Sequence, residues 1–146
     1  MQLQAESIPA LNTVTAYGND YIEINAIAYR HAVYFRPEGD IRLWEARAVS
    51  DISATQLKEI AGVKEVAADP MAFLDDAPAQ KSPDAPEVIL IGTGTRQQFL
   101  PRSITQALID LGIGVEAMST QAAARTYNIL MSEGRRVIAA LLPLEP

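Results

Sequence analysis

Residues 88–96 read Val-Ile-Leu-Ile-Gly-Thr-Gly-Thr-Arg, and the fold turns on this stretch. Its apolar half does not alternate with polar residues, which suits a strand buried on both faces, and glycine closes it where the chain must turn. Downstream, Pro101 suits the first turn of a helix. Ile104, Ala107, Leu108 and Leu111 then recur at helical spacing until Gly112. Gly114 to Met118 is the next expected strand. Ser119 or Thr120 caps a second helix running to about Glu133, with Gly134 as its stop, and Val137 to Leu142 closes the pattern. A βαβαβ order with short loops predicts a largely parallel sheet covered by helices.

Upstream the character changes. Val14-Thr15-Ala16-Tyr17 and Tyr21-Ile22-Glu23-Ile24 are rich in β-branched and aromatic residues, and Gly18-Asn19-Asp20 between them is turn chemistry. Ile27 to Phe35 continues in the same style. Pro37-Glu38-Gly39-Asp40 then turns the chain toward Ile41-Arg42-Leu43-Trp44, so a meander of about four antiparallel strands is expected. Ser53 followed by Gln56 fits a capping box for a short helix over 54–61, with Gly62 beyond its end. Residues 75–86 (DDAPAQKSPDAP) hold three prolines and read as a surface loop. About 60 residues on either side is small for an independent core, so residues 1–146 are expected to form a single domain.

Composition narrows the function classes. The 146 residues carry a net charge of −6, with 14 acidic against 7 basic residues over 1–87 and 4 against 5 over 88–146. Nucleic-acid affinity comes from basic clusters that neutralise phosphates, and the strongest basic run is Arg135-Arg136, so no nucleic-acid partner is expected. The absence of cysteine excludes disulfides, thiolate metal sites and thiol nucleophiles. The opening MQLQAESIPA lacks the basic and apolar regions of a secretory signal. The longest apolar run, Val137 to Leu142, is far short of the about 20 residues a membrane span needs. A cytoplasmic protein that does not itself span a membrane is expected.

Two segments are candidates for a site. Gly92-Thr93-Gly94-Thr95-Arg96 follows a buried strand, and glycines there allow close approach of a ligand or anion to the backbone. Glu116 lies 22 residues beyond Gly94, where a dinucleotide fold places its ribose-binding acid. Against that reading, Gln97 replaces the third glycine of the dinucleotide pattern, and the helix starts late. Arg125-Thr126-Tyr127-Asn128 sits in mid-helix, where Thr and Asn are indifferent helix formers. These residues either line a polar pocket beside the glycine bend or serve neighbouring loops. His31, the only histidine, reads as a surface or edge residue, Asp75-Asp76 as a solvated pair, and Trp44 as a packing residue. No spacing assembles a nucleophile, base and oxyanion hole, so no catalytic residue, metal site or cofactor is assigned.

VILIGTGTRQQFLP together with LGIGVEAMSTQAAARTYNILMSEGRRVIAALLPL resembles the domain of unknown function 498, or Mth-type, family. AYGNDYIEINAIAYRHAVYFRPEG and LWEA extend the likeness into the first half. The resemblance implies an α/β, three-layer single domain: a mixed central sheet with flanking helices, plus an N-terminal antiparallel β-meander. It implies no established reaction. The family includes a mitochondrial complex I assembly factor, which implies a protein partner at the inner face of a membrane complex. Its hallmark positions fall on Gly92, Gly94, Arg125, Thr126, Tyr127 and Asn128. Two functions are therefore expected in competition. One is a non-enzymatic protein-binding or assembly-factor-like module. The other is a small-ligand or anion-binding protein, an enzyme among the options, built on Gly92, Thr93, Gly94 and Arg96 with Arg125 to Asn128. A common site for these residues requires the glycine bend and the Arg125–Asn128 segment to lie side by side at one rim.

Overall fold

The computed structural model describes residues 10–63 and 84–145. Residues 75–83 of the proline-rich stretch, Asp75-Asp76 included, lie outside them. Strands β1 (Val14–Gly18), β2 (Tyr21–Ile24) and β3 (Ile27–Tyr29) form a three-stranded antiparallel meander in sequence order. The turn after β1 falls at Asn19-Asp20, as the sequence indicated. Between β2 and β3, Asn25 and Ala26 both take positive φ (54° and 66°). This left-handed pair suits the twist of a tight hairpin, though alanine adopts it at a cost. The Thr13 carbonyl accepts from the Asn25 N–H and the Thr15 hydroxyl from that of Ala26, so β1 holds the turn.

The chain then leaves the meander. Strands β4 (Val33–Phe35) and β5 (Arg42–Leu43) join β6 (Val88–Gly92), β7 (Gly114–Met118) and β8 (Val137–Leu141) in a five-stranded sheet of order β5-β4-β8-β6-β7. The pairs β6–β7 and β6–β8 are parallel, while β4 runs antiparallel to both β5 and β8. One expectation is thereby corrected: the meander has three strands rather than four. The central sheet is mixed, as the family resemblance implied, where the βαβαβ order alone predicted a largely parallel one. The physical cause is that Ile27–Phe35, of strand character in both its halves, breaks at Arg30–Ala32, and its second part pairs with a strand far along the chain.

Three helices complete the layers: α1 (Ala54–Ala61), α2 (Arg102–Asp110) and α3 (Thr120–Ser132). Their ends follow the sequence signals. The Ser53 hydroxyl accepts from the Gln56 N–H, and Gly62 ends α1 at φ 70°. The Ser119 side chain accepts from the Ala122 N–H at the start of α3. Pro101 stands just before the first helical residue of α2. One core lies under α1 and α2 and holds Ile89, Ile91, Leu57, Ile60, Leu108 and Trp44. The other lies under α3 and the meander and holds Leu90, Phe35, Ile22, Ile24, Tyr127 and Met131. Successive residues of β6 serve opposite cores, so this strand is covered on both faces. The connections after β6 and β7 consequently depart to opposite sides of the sheet.

Candidate functional site

Where neighbouring strands send their connections to opposite faces, a crevice opens at their carboxyl ends, and open α/β sheets take ligands there. In this protein that crevice lies between β6 and β7, with Gly92–Arg96 as one lip and the N-terminus of α3 as the other. It is filled from within. The Thr93 N–H donates to the Met118 carbonyl at 2.8 Å, and the Gly94 N–H donates to the Thr120 hydroxyl at 2.9 Å. Thr120 returns two bonds: its N–H to the Gly94 carbonyl (2.8 Å) and its hydroxyl to the Leu142 carbonyl (2.6 Å). The Leu142 N–H donates in turn to the Gly92 carbonyl at 2.9 Å. The bend therefore locks β6, α3 and the segment after β8 together.

Glycine is needed at both positions for steric reasons. A Cβ on Gly92 would stand 2.9 Å from the Thr120 hydroxyl and from a Leu141 methyl, and Gly94 has φ of 100°. The Thr93 and Gly94 amides, which an anion at the bend would have met first, are taken by the protein itself. Glu116 offers no ribose site either. It lies at the middle of β7, level with Leu90, and not at the strand's end.

The remaining turn residues behave differently from one another. The Thr93 hydroxyl donates to the Arg96 carbonyl (2.6 Å) and accepts from the Gln98 N–H (3.2 Å), which shapes the loop into a compact turn. The Thr95 hydroxyl ties down the Leu144 carbonyl at 2.6 Å. Arg96, Gln97, Gln98 and Phe99 then form an exposed run, with Phe99 81% accessible. Phe99 was not among the residues singled out from sequence. The available signal was a single aromatic between two glutamines and the Leu-Pro that leads into α2.

The Arg125–Asn128 segment does not join the bend in one pocket. Thr120 alone of α3's polar side chains meets Gly94. Arg125, Tyr127 and Asn128 bond instead to the N-terminal segment. Asn128 accepts from the Val14 N–H (3.0 Å) and donates to the Val14 carbonyl (2.8 Å). The Tyr127 hydroxyl, fully buried, donates to the Asn12 carbonyl at 2.8 Å, and its ring stacks edge-on against Phe35. Burial pushes the Tyr127 phenol well above the ordinary tyrosine range. Arg125 is exposed and donates to the Tyr17 hydroxyl at 3.1 Å, while Thr126 is half-buried. The expectation of one shared rim is thus replaced by two connected functions of α3: its first residue fixes the bend, and its middle fixes β1.

Other groups were weighed from sequence. His31 is exposed, as expected of an edge position, and its Nδ1 lies 3.0 Å from the Ala32 carbonyl. Trp44 is buried in the core under α1 and α2, and its indole N–H has no acceptor among the described residues. It borders an open cavity of about 600 Å³ together with Arg30, His31, Arg47 and Pro143. Among the described residues no group of three metal-ligating side chains converges. No helix among them is long and apolar enough to cross a membrane.

These features define a mixed α/β fold whose glycine bend is an internal fastening and whose adjoining loop is displayed. The chain belongs to the family described as Protein of unknown function (DUF498/DUF598), whose model matches residues 14–142. Its fold is similar to that of a Bordetella pertussis protein described as a Mth938-like domain. That match has a TM-score of 0.76 and 53% identity, over 99% of this chain and 94% of the other. A Bordetella parapertussis crystal structure matches with a TM-score of 0.76 and 48% identity, covering 93% and 98% of the two chains. Among curated proteins, an uncharacterized Rhodobacter capsulatus protein is 50% identical over 58 residues, 40% of this chain and 47% of its own length. The human NADH dehydrogenase [ubiquinone] 1 alpha subcomplex assembly factor 3 is 42% identical over 57 residues, 39% of this chain and 31% of its own. The chain thus spans less than half the length of these curated relatives.

Proposed function

We propose that this chain is a non-enzymatic, protein-binding module of the assembly-factor kind, acting in the cytoplasm on a protein partner at the inner face of a membrane complex. The observation that carries the reading is the contrast at the glycine bend. The Thr93 and Gly94 amides and the Thr120 hydroxyl are bonded within the fold, while the loop leaving them exposes Arg96 and Phe99. An exposed aromatic beside an arginine has the composition of an interface anchor. The similarity to an assembly factor over part of the chain supports the same reading. In it, Arg96 and Arg125 are the contact residues among the family hallmarks and their neighbours. Gly92, Thr93, Gly94, Thr126, Tyr127 and Asn128 keep the contact surface in place.

Residues 1–146 act as one unit in this proposal, because α3 bonds both the glycine bend and the meander. Affinity purification from native cells tests it. Wild type recovers a specific protein partner, and Phe99→Ala with Arg96→Ala reduces recovery at least tenfold while the melting temperature holds. Equal recovery by wild type and the double variant, or no specific partner at all, overturns it.

A further inference from the structure

The two sheets present four outer strands, β1, β3, β5 and β7. Exposed strand edges carry unpaired N–H and C=O groups that recruit other strands unless they are blunted. Three of the four are blunted. On β1, the Asn128 side-chain amide bonds both the N–H and the C=O of Val14, much as a neighbouring strand would. Strands β3 and β5 are three and two residues long, and β5 carries Arg42. Strand β7, five residues long, is the exception.

The register tells which of its backbone groups face outward. The Gly114 N–H donates to Glu87 beside β6, and the Met118 carbonyl accepts from Thr93 beyond its end. In a parallel strand alternate residues turn both backbone groups to the same side. Gly114, Glu116 and Met118 therefore bond toward β6, and Val115 and Ala117 point their N–H and C=O outward. The Ala117 carbonyl confirms the phase, because the Gln97 side chain donates to it at 3.0 Å. Gln97 belongs to the displayed loop, two residues before Phe99.

Between the two outward-facing residues stands Glu116, exposed, its carboxylate bonded to no described residue. A second copy of the chain is a poor occupant. Antiparallel self-pairing centred on this strand would set Glu116 directly opposite its own copy, and like charges so placed are destabilising. A strand with a basic residue at that position gains the opposite-charge pair instead.

We propose that the β7 edge takes an extended segment of a partner protein as an added strand. Its backbone pairs with Val115 and Ala117, a lysine or arginine stands opposite Glu116, and an apolar residue rests against Phe99. Gln97 caps the Ala117 carbonyl until the segment displaces it. This deepens the protein-binding reading above and rests on it for the existence of a partner.

The chain contains no cysteine, so a Gln98→Cys variant offers a unique attachment point on the exposed loop. A five-residue β-forming peptide with central lysine, joined there through a flexible Gly/Ser linker, meets the edge at about millimolar effective concentration. The probe is compared with the same peptide carrying central glutamate. Amide exchange of Val115 and Ala117, followed by NMR, slows at least tenfold with the lysine peptide and not with the glutamate peptide. Glu116→Lys reverses the preference. Ala117→Pro removes only an outward N–H and abolishes the protection, while the amides of Glu116 and Met118 stay protected by β6.

Identical exchange with both peptides, or no slowing at all, overturns the proposal. In the affinity purification, a partner retained undiminished by Glu116→Lys and Ala117→Pro also refutes it and leaves the binding-module reading standing. Charge-selective peptide pairing with no partner recovered from cells refutes that reading and leaves the edge chemistry standing.

Discussion

Strands β1 and β7 are each an outer strand of one of the two sheets, and the protein treats them oppositely. At β1 a helix reaches over, and Asn128, Tyr127 and Arg125 bond to Val14, Asn12 and Tyr17. At β7, among the described residues, one glutamine side chain covers one carbonyl. Polar residues in the middle of a helix thus act as a fastening on one side, and on the other an edge strand is left with a carboxylate that no described residue bonds. The difference shows that a conspicuous polar motif can be structural, while an inconspicuous strand carries the edge for which recognition is proposed.

The comparison can be broken most forcefully at Tyr127. Tyr127→Ala empties a buried aromatic volume against Phe35 and orphans the Asn12 carbonyl, so a loss of about 3–5 kcal/mol is expected in denaturant unfolding. Asn128→Ala leaves both backbone groups of Val14 without their partner and should cost about 1–3 kcal/mol. Amide exchange would show the loss concentrated in the meander. A uniform loss across both sheets would mean that Asn128 does not close the β1 edge.

Tyr127→Phe isolates the hydroxyl, with a neutral-pH cost of about 1 kcal/mol, and it changes the alkaline behaviour. Burial raises the folded-state value of this phenol above the ordinary tyrosine value of 10.0. The unfolded chain then releases its proton first as pH rises, so this residue's contribution is whole below pH 10.0 and is lost progressively above it. Unfolding curves at rising pH should converge for wild type and Tyr127→Phe, and parallel curves would contradict the burial argument. The smallest stability effects belong to the open edge. Glu116→Lys and Gln97→Ala change exposed side chains and should shift stability by no more than about 0.5 kcal/mol. A loss of several kcal/mol at either would mean that β7 is structurally closed as well.

Much of the local structure is legible in the chain. Ser53 and Ser119 cap helices, Gly62, Gly112 and Gly134 adopt positive φ where helices end, and Val88–Gly92 is a strand buried on both faces. Each depends on residues a few positions apart. The split of Ile27–Phe35 between two sheets was not legible, because both pieces have strand character and differ only in their partners. The candidate site was half legible. Glycine at 92 and 94 was correctly seen to permit close approach, but the approaching group is Thr120 of the same chain. Asn128 was visibly out of place in mid-helix, yet its partner Val14 is 114 residues away. The openness of β7 left no mark in composition, since an edge strand and an inner one can carry the same residues.

The sequence by itself determined where the helices start and stop, that a glycine bend follows a buried strand, and which broad family likeness the chain carries. These follow from capping, backbone freedom and apolar periodicity, all short-range properties. Only the tertiary structure decided that the bend is filled by Thr120, that Asn128 completes the edge of β1 and that no described strand pairs with the outer edge of β7. Hydrogen bonds between distant segments settle which polar groups are satisfied, and no local pattern encodes that choice.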